Sequence, residues 1–328
     1  MRIAFVTDGG LERGMGHVQQ STTLAQEFKD RAEIYFFTKS DETVVNKIKS
    51  AGLATFKLSS DDEIADLLQQ IKPNIVIVDK IDVAEKFAKR LKDSLGAKLV
   101  IFTNLTTANL YADVAVTADI GSQFRNIKFR DEKTNTLYFY GPKYWVLRKE
   151  FYKFKKKRKA PAKKIEGILL IFGGSDPSNL TTTVLDELLS LENDFRINVI
   201  LGAHFGYCYS LNQVLSRHQN KKDNVSIYRD INNVAELMYK ADLVIASPGL
   251  SVFEALCVGT PVIVMPQDLL QKETYQGFMR TLAKGDTNRL GDMIAAADFT
   301  YPQQESILKM EIGEGKTELI NEILRDVR

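Results

Sequence analysis

Short apolar runs recur along the whole chain, and segments with the length and periodicity of helices separate them. Most of the runs are continuously apolar rather than alternating, which is typical of parallel strands covered by helices on both faces. A regular alternation of strand and helix predicts βαβ units. The predicted strands are RIAFVT, EIYFFT, ATFKLS, NIVIVD, KLVIFT and ADVAVT in the first half, and EGILLIF, RINVIL, NVSIYR, DLVIAS and PVIVMP in the second.

One basic, proline-containing segment interrupts this alternation and predicts a domain boundary. A chain of 328 residues is also longer than one hydrophobic core usually supports. We therefore expect an α/β protein with two doubly wound, Rossmann-like domains, residues 1–145 and 165–328, joined by a linker over 146–164. The closing GEGKTELINEILRDV has leucine and isoleucine at helical spacing and predicts a terminal helix that could pack back on the chain.

Composition is ordinary for a globular protein. The chain is 44% hydrophobic and 26% charged, and no apolar run approaches the ~20 residues of a membrane helix. Its start lacks the pattern of a cleavable signal peptide, so we expect a cytoplasmic protein. The two cysteines, Cys208 and Cys257, are too few for a disulfide framework and lack the spacing of a metal cage. Neither a metal nor another cofactor is expected.

Net charge is only +2, which gives no reason to expect nucleic acid as a partner. The charge is unevenly distributed, because FYKFKKKRKAPAKK, residues 151–164, is strongly basic. Two interpretations stay open for this segment. It could be a solvated linker, or a salt-sensitive patch for an anionic membrane or another polyanion. These features do not determine the oligomeric state.

Ligands of open α/β sheets bind beyond the carboxyl ends of the strands, so two such domains predict a site in the cleft between them. The loop FGGSDPSNLT, residues 172–181, follows a predicted strand and opens a helix. Gly173 and Gly174 permit close backbone approach, and Ser175 or Asp176 could cap the helix. Such a helix start attracts phosphate, so the loop is a candidate diphosphate cradle, although an ordinary capped helix would look the same.

A second candidate loop begins ASPGLSVFEALC, residues 246–257. Ser251 and Glu254 have the S-x-x-E spacing of a capping box. Alternatively, Glu254 could accept hydrogen bonds from the two hydroxyls of a ribose, because a carboxylate offers two acceptor oxygens. Upstream, Ile231 could present backbone groups to the edge of a base, although an asparagine-capped loop would have the same sequence.

His17 is one of three histidines and follows a glycine-rich turn after the first predicted strand. Gly14 and Gly16 allow a tight turn that places His17 near a helix N-terminus, where the positive end lowers the histidine pKa. A neutral imidazole is a general base, and a nucleoside diphosphate leaves without an acid catalyst. A helix cap is the alternative. GLERGMGH lacks the spacing of a dinucleotide site, and the sequence has no Walker loop.

These motifs resemble, in the same order, those of the UDP-sugar hydrolases of the pseudaminic acid pathway and related spore-coat polysaccharide proteins. More distantly they resemble GT-B glycosyltransferases such as the one that adds N-acetylglucosamine in peptidoglycan assembly. The motifs are GMGHVQQSTTLA, IVDKID, GPKYWVLRKEF, FGGSDPSNLT and SPGLSVFEALCVGTPVIVMP. The resemblance implies a GT-B-like fold and a UDP-sugar ligand. It also implies that His17 is the base that activates water at the anomeric carbon.

The candidate site residues divide into two sets. On the nucleotide side they are Gly173, Gly174, Ser175, Asn179, Ile231, Ser247, Gly249, Ser251 and Glu254, and on the sugar side Gly14, Gly16, Asp79, Asn104, Tyr144 and Gln271. The chain departs from the family pattern on the sugar side, with Gln20 for arginine, Lys80 and Ile81 for serine and tyrosine, Thr103 and Asn104 for two aspartates, and Leu270 for asparagine.

Three functions stay open. We favour hydrolysis of a UDP-sugar, with release of UDP and a free modified sugar, in the biosynthesis of surface polysaccharide or nonulosonic acid. Glycosyl transfer to an acceptor hydroxyl is the first alternative, and the basic, aromatic segment after Tyr144 could then hold an anionic or membrane-borne acceptor. The second alternative is a protein that binds a nucleotide sugar without turnover.

Overall fold

Each half of the chain folds around its own sheet in the computed structural model. The structure describes all residues except 12–13, 119–124, 158–161, 163, 230, 268, 276–279, 297–308 and 328, and it leaves out the side chains of Leu270 and Thr274. The chain divides into two compact units. The first unit contains Met1–Val146 and Met310–Arg328, and the second contains Leu147–Lys309.

The first unit is built on an eight-stranded sheet with the order β3-β2-β1-β4-β5-β6-β8-β7. All six strands predicted for this half are present. Two further strands, β7 and β8, were not predicted, and β7 pairs antiparallel with β8, so the otherwise parallel sheet is mixed at one edge. The strands are β1 Arg2–Thr7, β2 Glu33–Thr38, β3 Ala54–Lys57, β4 Ile75–Asp79, β5 Lys98–Phe102, β6 Val114–Thr117, β7 Ile127–Arg130 and β8 Leu137–Tyr140.

Helices cover both faces of this sheet. Successive side chains of each strand point to opposite faces, so one strand can contribute to the apolar clusters on both sides. Ile3 and Phe5 of β1 enter one apolar cluster, and Ala4 and Val6 enter the other. Both clusters are fully buried, which explains why the strands are continuously apolar in sequence. The helices of the first unit are α1 Gly16–Phe28, α2 Glu42–Ser50, α3 Asp61–Ile71 and α4 Glu85–Leu95, with the C-terminal helix Lys316–Leu324, which is α12 in chain order.

Helix α12 packs on the first unit although it follows the second in sequence. Leu319 and Ile323 are fully buried in the same apolar cluster as Phe139. The approach to the helix is held by two backbone hydrogen bonds, from Gly313 N–H to the Pro142 carbonyl at 3.1 Å and from Gly315 N–H to the Lys143 carbonyl at 2.8 Å. The apolar spacing seen in the closing segment therefore corresponds to a buried helix face.

The second unit has a six-stranded parallel sheet with the order β11-β10-β9-β12-β13-β14. The five strands predicted for this half are present, and the two-residue β14 was not predicted. No helix in the described part of the chain is both long and apolar enough to cross a bilayer. The elements are β9 Gly167–Ile171, β10 Arg196–Leu201, β11 Val225–Arg229, β12 Leu243–Ala246, β13 Val262–Val264, β14 Arg280–Thr281, α5 Lys149–Lys155, α6 Leu180–Ser190, α7 Cys208–Arg217, α8 Val234–Lys240, α9 Leu250–Cys257, α10 Leu269–Tyr275 and α11 Leu290–Ala295.

Both sheets reverse their strand order once. The reversal lies between β1 and β4 in the first unit and between β9 and β12 in the second. The loops that follow the two central strands diverge at such a point and leave room for a ligand at the carboxyl ends. The turn that leads to His17 follows β1, and the loop of residues 172–179 follows β9. The fold therefore puts His17 and the glycine loop at the two reversal points.

Candidate functional site

His17 is bonded to a buried carboxylate at the reversal point of the first sheet. The residue is the second of α1, and its Nδ1 lies 2.8 Å from Oδ1 of Asp79, the last residue of β4. The imidazole keeps 17% of its side-chain surface exposed, whereas the Asp79 side chain keeps only 2%. The ring is therefore accessible, and the carboxylate that orients it is enclosed.

Two neutral side chains of α1 complete the surroundings of Asp79. Its Oδ2 accepts hydrogen bonds from Nε2 of Gln20 at 3.0 Å and from the Ser21 hydroxyl at 3.1 Å. Gln20 Nε2 also lies 3.3 Å from the Thr103 hydroxyl at the end of β5. Among the described partners of Asp79, His17 alone can carry a positive charge. The hydrogen bonds from these three donors offset the cost of burying the carboxylate, and the charge that His17 gains on taking a proton would be balanced by it.

This contact fixes which histidine nitrogen can act as a base. A carboxylate that accepts the Nδ1 proton holds the ring in one tautomer and makes Nε2 the basic atom. The helix N-terminus favours the neutral ring, whereas the carboxylate favours the protonated one. Only the effect of the helix end could be expected from sequence, because Asp79 is 62 positions away. The role of His17 as a base stays a prediction, now with an identified orienting group.

Lys80 forms a buried ion pair beside this cluster. Its Nζ lies 2.9 Å from Oδ2 of Asp8, just beyond β1, and both side chains are buried. The other oxygen of Asp8 accepts from Lys39 N–H at 2.8 Å and from the Thr38 hydroxyl at 3.2 Å. Burial alone would raise the pKa of Asp8, but Lys80 and the backbone hydrogen bond from Lys39 outweigh it and hold the pKa below its usual value. Lys80 is therefore compensated inside the first unit.

Two predicted sugar-side residues have roles within the first unit. The Asn104 side chain is buried, accepts from Val83 N–H at 3.0 Å and donates to Thr106 and Asn109, so it organises the loop after β5. The Tyr144 ring is buried in an edge contact with Phe139, with ring centroids 4.9 Å apart. Burial raises the pKa of the Tyr144 hydroxyl. A sugar contact of either residue stays a prediction.

The predicted turn before His17 contains a glycine in the left-handed region. Gly14 has φ +68°, and its carbonyl accepts a hydrogen bond from Gly10 N–H at 2.9 Å. Among the described residues beyond the immediate chain neighbours, no atom lies within 4 Å of the position that a Cβ on Gly14 or Gly16 would occupy. The backbone conformation therefore explains Gly14, since an L residue would be strained there. The space beside both glycines is open on the described part of the chain.

In the second unit, the glycine loop after β9 is closely approached by another strand end. Gly173 has φ +81°. A Cβ on Gly202, which follows β10, would lie 2.3 Å from the Gly174 carbonyl oxygen and 2.4 Å from that of Gly173. His204 N–H also donates to the Gly174 carbonyl at 2.9 Å. No local sequence pattern marks Gly202, because a glycine is required there only by the close approach of a loop that is distant in sequence.

The start of α6 is capped by Asp176. Its two carboxylate oxygens accept from Leu180 N–H and Thr181 N–H, each at 2.8 Å. Burial raises the pKa of Asp176, and the hydrogen bonds from Thr181 and Leu180 oppose the shift. The capped-helix interpretation of this loop therefore describes its first turn. A diphosphate held by Gly173, Gly174 and Ser175 would have to use donors other than these two.

Gln267, which the sequence analysis missed, joins three loops of the second unit. Its Nε2 donates to the Phe172 carbonyl at 3.1 Å and to the Ser247 hydroxyl at 2.9 Å, and its Oε1 accepts from Ser178 N–H at 3.2 Å. Gln271, a predicted sugar-side residue, accepts from Gln267 N–H at 2.9 Å. The structure therefore brings Ser247 and Gln271 into one network at the reversal point of the second sheet.

Glu254 lies in the interior of α9 and pairs with Arg148. Helix α9 begins at Leu250, after Gly249 with φ +126°, and no side chain among the described residues caps it, so the predicted capping box is not formed. Arg148 donates from Nε to Glu254 Oε1 at 3.1 Å and from Nη2 to Oε2 at 3.2 Å. Burial raises the pKa of Glu254, and Arg148 opposes the shift. Both Glu254 oxygens already accept hydrogen bonds from the guanidinium of Arg148. The ribose contact stays a prediction.

The remaining nucleotide-side candidates have less distinctive surroundings. Asn179 has φ +53°, and its carbonyl accepts from the Thr183 hydroxyl at 3.0 Å. Ser251 is the second residue of α9, and Ile231 is half-buried before α8. The side chain of Leu270 lies outside the described residues. No group of three or more His, Cys, Asp or Glu side chains within the described ranges could hold a metal ion.

The chain is similar to one known domain family and to several known proteins. Residues 168–280, within the second unit, match the glycosyltransferase family 28 C-terminal domain. The chain is 45% identical over 329 residues to the uncharacterized protein MJ1062 of Methanocaldococcus jannaschii, covering 98% of this chain and 66% of that protein. It is 26% identical to the spore coat polysaccharide biosynthesis protein SpsG of Bacillus subtilis, covering 98% of this chain and 94% of that protein.

A third relative is more distant. The UDP-2,4-diacetamido-2,4,6-trideoxy-beta-L-altropyranose hydrolase of Campylobacter jejuni is 22% identical over 267 residues, which cover 78% of this chain and 88% of that enzyme. The resemblance inferred from the motifs is therefore confirmed as a relationship to SpsG and, at greater distance, to this hydrolase. The activity itself is not transferred by these identities.

Solved structures show the fold class. MurG of Acinetobacter baumannii superimposes with a TM-score of 0.63 at 14% identity, covering 98% of this chain and 99% of that chain. HepE of Anabaena, crystallised with UDP-glucose, superimposes with a TM-score of 0.56 at 14% identity, covering 100% and 98%. The predicted GT-B-like fold, with two mainly parallel α/β units, is confirmed.

Proposed function

We propose that the chain is an enzyme that hydrolyses a nucleotide sugar, with His17 as general base. The observation that carries this proposal is the 2.8 Å contact between His17 Nδ1 and the buried Asp79 at the reversal point of the first sheet. A partly exposed imidazole with its tautomer set by an enclosed carboxylate is the arrangement that general-base catalysis needs. A structural histidine in a core would instead be enclosed itself.

The chemistry requires one proton acceptor. Nε2 takes a proton from water as the water oxygen bonds to the anomeric carbon. The bond from that carbon to the diphosphate oxygen breaks, and its electron pair leaves with the nucleoside diphosphate. The imidazolium that forms is balanced by Asp79 and then releases its proton to solvent. A positioned base of this kind contributes about 10²- to 10⁴-fold to the rate.

We assign the nucleotide to the second unit and propose UDP as the nucleotide. The glycosyltransferase family 28 match contains the glycine loop after β9, Ser247 and Glu254. HepE binds UDP-glucose, and the relative from Campylobacter jejuni is named for a UDP-sugar. The Gln267 network supports this assignment, because it holds the loops after β9 and β12 together, and carboxyl-end loops of this kind bind ligands in open α/β sheets.

Glycosyl transfer is the second candidate, and the match of residues 168–280 to a glycosyltransferase domain favours it. The same base would then deprotonate an acceptor hydroxyl instead of water. Similarity to SpsG supports a role in polysaccharide biosynthesis for either reaction. The two reactions differ in one respect that an assay can measure, since hydrolysis releases UDP without an acceptor.

The test is UDP release from a panel of UDP-sugars by the full chain and by His17→Ala. We expect release without acceptor, a kcat at least about 100-fold lower in the variant, and nearly unchanged UDP affinity. His218→Ala is the matched control. His218 is also bonded to an aspartate, with Nε2 2.8 Å from Asp186 Oδ1, and its side chain is 18% exposed. This control should turn over normally.

Three outcomes would change the proposal. Equal turnover in wild type and His17→Ala would remove the proposed base. Release that occurs only with an added acceptor would establish transfer. Tight UDP binding without release from any sugar would identify a binding protein.

A further inference from the structure

Helix α5 of the second unit presents one face of lysines. Lys149, Lys153 and Lys156 follow one another at spacings of four and three residues, which places them on the same side of a helix. Lys157 comes next in the chain, and all four residues are exposed. We call these four residues the lysine face. The hydrolysis proposed for His17 does not use them.

The opposite side of α5 is anchored, so the lysine face is held in place. Phe151 is fully buried, and the ring of Phe154 lies 5.0 Å from the ring of Tyr239 on α8. The Tyr239 hydroxyl donates to the Lys157 carbonyl at 2.8 Å, which fixes the C-terminal end of the helix. The segment that contains α5 is therefore a docked helix in its first half and not simply a solvated linker.

No described carboxylate compensates the positive charge of the lysine face. Glu150 lies 3.4 Å from Arg148, and Glu236 of α8 lies 2.6 Å from Lys240. Within the described ranges, no carboxylate is within the 4.0 Å ion-pair distance of the four lysines. The nearby acidic residues are thus engaged with other cations, and the lysine face is available to an external anion.

Charge is also segregated along the whole sequence. Residues 149–164 contain nine lysines and arginines and one acidic residue, a net charge of +8, so the rest of a chain with net charge +2 carries −6. A negatively charged surface would attract this segment and repel the remainder. Such an asymmetry orients a protein in the field of the surface as well as attracting it.

We propose that the lysine face docks the protein on a bilayer that contains anionic lipid. A row of lysines on a fixed helix fits a plane of phosphate headgroups, since flexible stems let each ammonium reach a headgroup independently. Single-stranded nucleic acid would also require aromatic platforms for base stacking. Two of the three aromatic rings of α5 are engaged in packing, with Phe151 buried and Phe154 against Tyr239, which favours the bilayer.

The test is co-sedimentation of the full chain with vesicles of phosphatidylcholine containing phosphatidylglycerol and with vesicles of phosphatidylcholine alone. We expect binding to the anionic vesicles only, with a steep loss as salt is raised. Each lysine near an anionic membrane contributes a factor of about five to partitioning. The triple variant Lys153→Gln, Lys156→Gln, Lys157→Gln should therefore bind about 100-fold more weakly.

A second triple variant separates the effect of the lysine face on vesicle binding from the effect of net charge. Lys29→Gln, Lys86→Gln and Lys222→Gln remove the same charge from exposed positions elsewhere and should leave binding nearly unchanged. Equal losses in the two triple variants would overturn the proposal, as would failure of the wild type to bind anionic vesicles at low salt. Binding of an RNA homopolymer without vesicle binding would assign the face to nucleic acid instead. Thermal melting of both variants checks that they fold.

Discussion

At the residue scale, Asp79 contacts side chains of α1. Its place at the end of β4 predicts a residue that binds the sugar. In the structure its two oxygens accept from His17, Gln20 and Ser21, all on α1. We therefore expect Asp79 to act through His17, as a positioning residue. A direct sugar contact would need one of these donors to be displaced.

Replacement of Asp79 by asparagine tests this role. The amide can turn its NH₂ toward Nδ1 and stabilise the wrong histidine tautomer, so Nε2 would carry the proton. We expect kcat to fall by about 100-fold or more, with KM within a few-fold of wild type. Steady-state kinetics measure both values, and nitrogen NMR of the histidine ring reports the tautomer directly.

Asp8→Asn is the matched control for that variant. Asp8 is a buried carboxylate in the strand-end region of the same unit, and its ion-pair partner is Lys80. Breaking a buried pair costs about 3–5 kcal/mol of unfolding free energy, so this variant should be the less stable of the two while keeping its kcat. A raised KM with normal kcat in Asp79→Asn would instead restore Asp79 to the sugar-binding set.

At the element scale, the glycine loop after β9 depends on the strand next to it. Gly202 directly follows β10. A Cβ added to it would lie 2.3 Å from the carbonyl oxygen of Gly174 and 2.4 Å from that of Gly173. Backbone atoms cannot move aside as a flexible side chain can. The conformation of the candidate diphosphate loop is therefore set partly by a residue that follows it by nearly thirty positions in the printed sequence.

Gly202→Ala should lower the free energy of unfolding by about 1–3 kcal/mol, the usual cost of overpacking, and should weaken UDP binding. Urea denaturation and a UDP titration measure the two effects. Gly206→Ala is the control, because its φ is not positive and no described atom beyond its chain neighbours lies within 4 Å of its Cβ position. If the two variants were equally stable, the close approach at Gly202 would not matter.

Prediction of the strands followed burial for most of them, although β8 was missed with three of its four residues buried. Nine of the eleven predicted strands lie inside the sheets, and the other two, β3 and β11, are edge strands. Of the remaining strands that were not predicted, β7 has all four residues exposed and β14 has only two residues. Exposed and very short strands carry little periodic signal.

The predicted capping box of α9 is not formed in the structure. Ser251 and Glu254 have the spacing of a capping box, but α9 begins at Leu250, directly after Gly249 with φ +126°. Ser251 therefore lies inside the helix and not at its N-cap.

At the scale of the whole molecule, the chain returns to its first unit after completing the second. The first unit includes Met310–Arg328, and Leu319 of α12 is fully buried in its core. The spacing of leucine and isoleucine predicted the helix, but it could not predict which sheet would receive it. The two units are therefore linked by the chain twice in sequence.

Leu319→Ala should lower the free energy of unfolding by about 2–5 kcal/mol through the lost burial and the cavity left behind. Leu105→Ala, at a position that is 63% exposed, is the control and should change it by less than about 0.5 kcal/mol. Urea denaturation of both variants makes the comparison. A loss of stability at Leu319 no larger than that at Leu105 would show that α12 does not stabilise the first unit.

The sequence by itself determined eleven of the strands, the division into two α/β halves and the positions of His17 and the glycine loop after their strands. These features follow from burial on both faces, which leaves a local pattern in the order of apolar residues. Tertiary structure alone decided the pairs that give those residues chemistry. His17 and Asp79 are 62 positions apart, and Arg148 and Glu254 are 106 apart. Strand order brings such residues together, and no local sequence pattern records it.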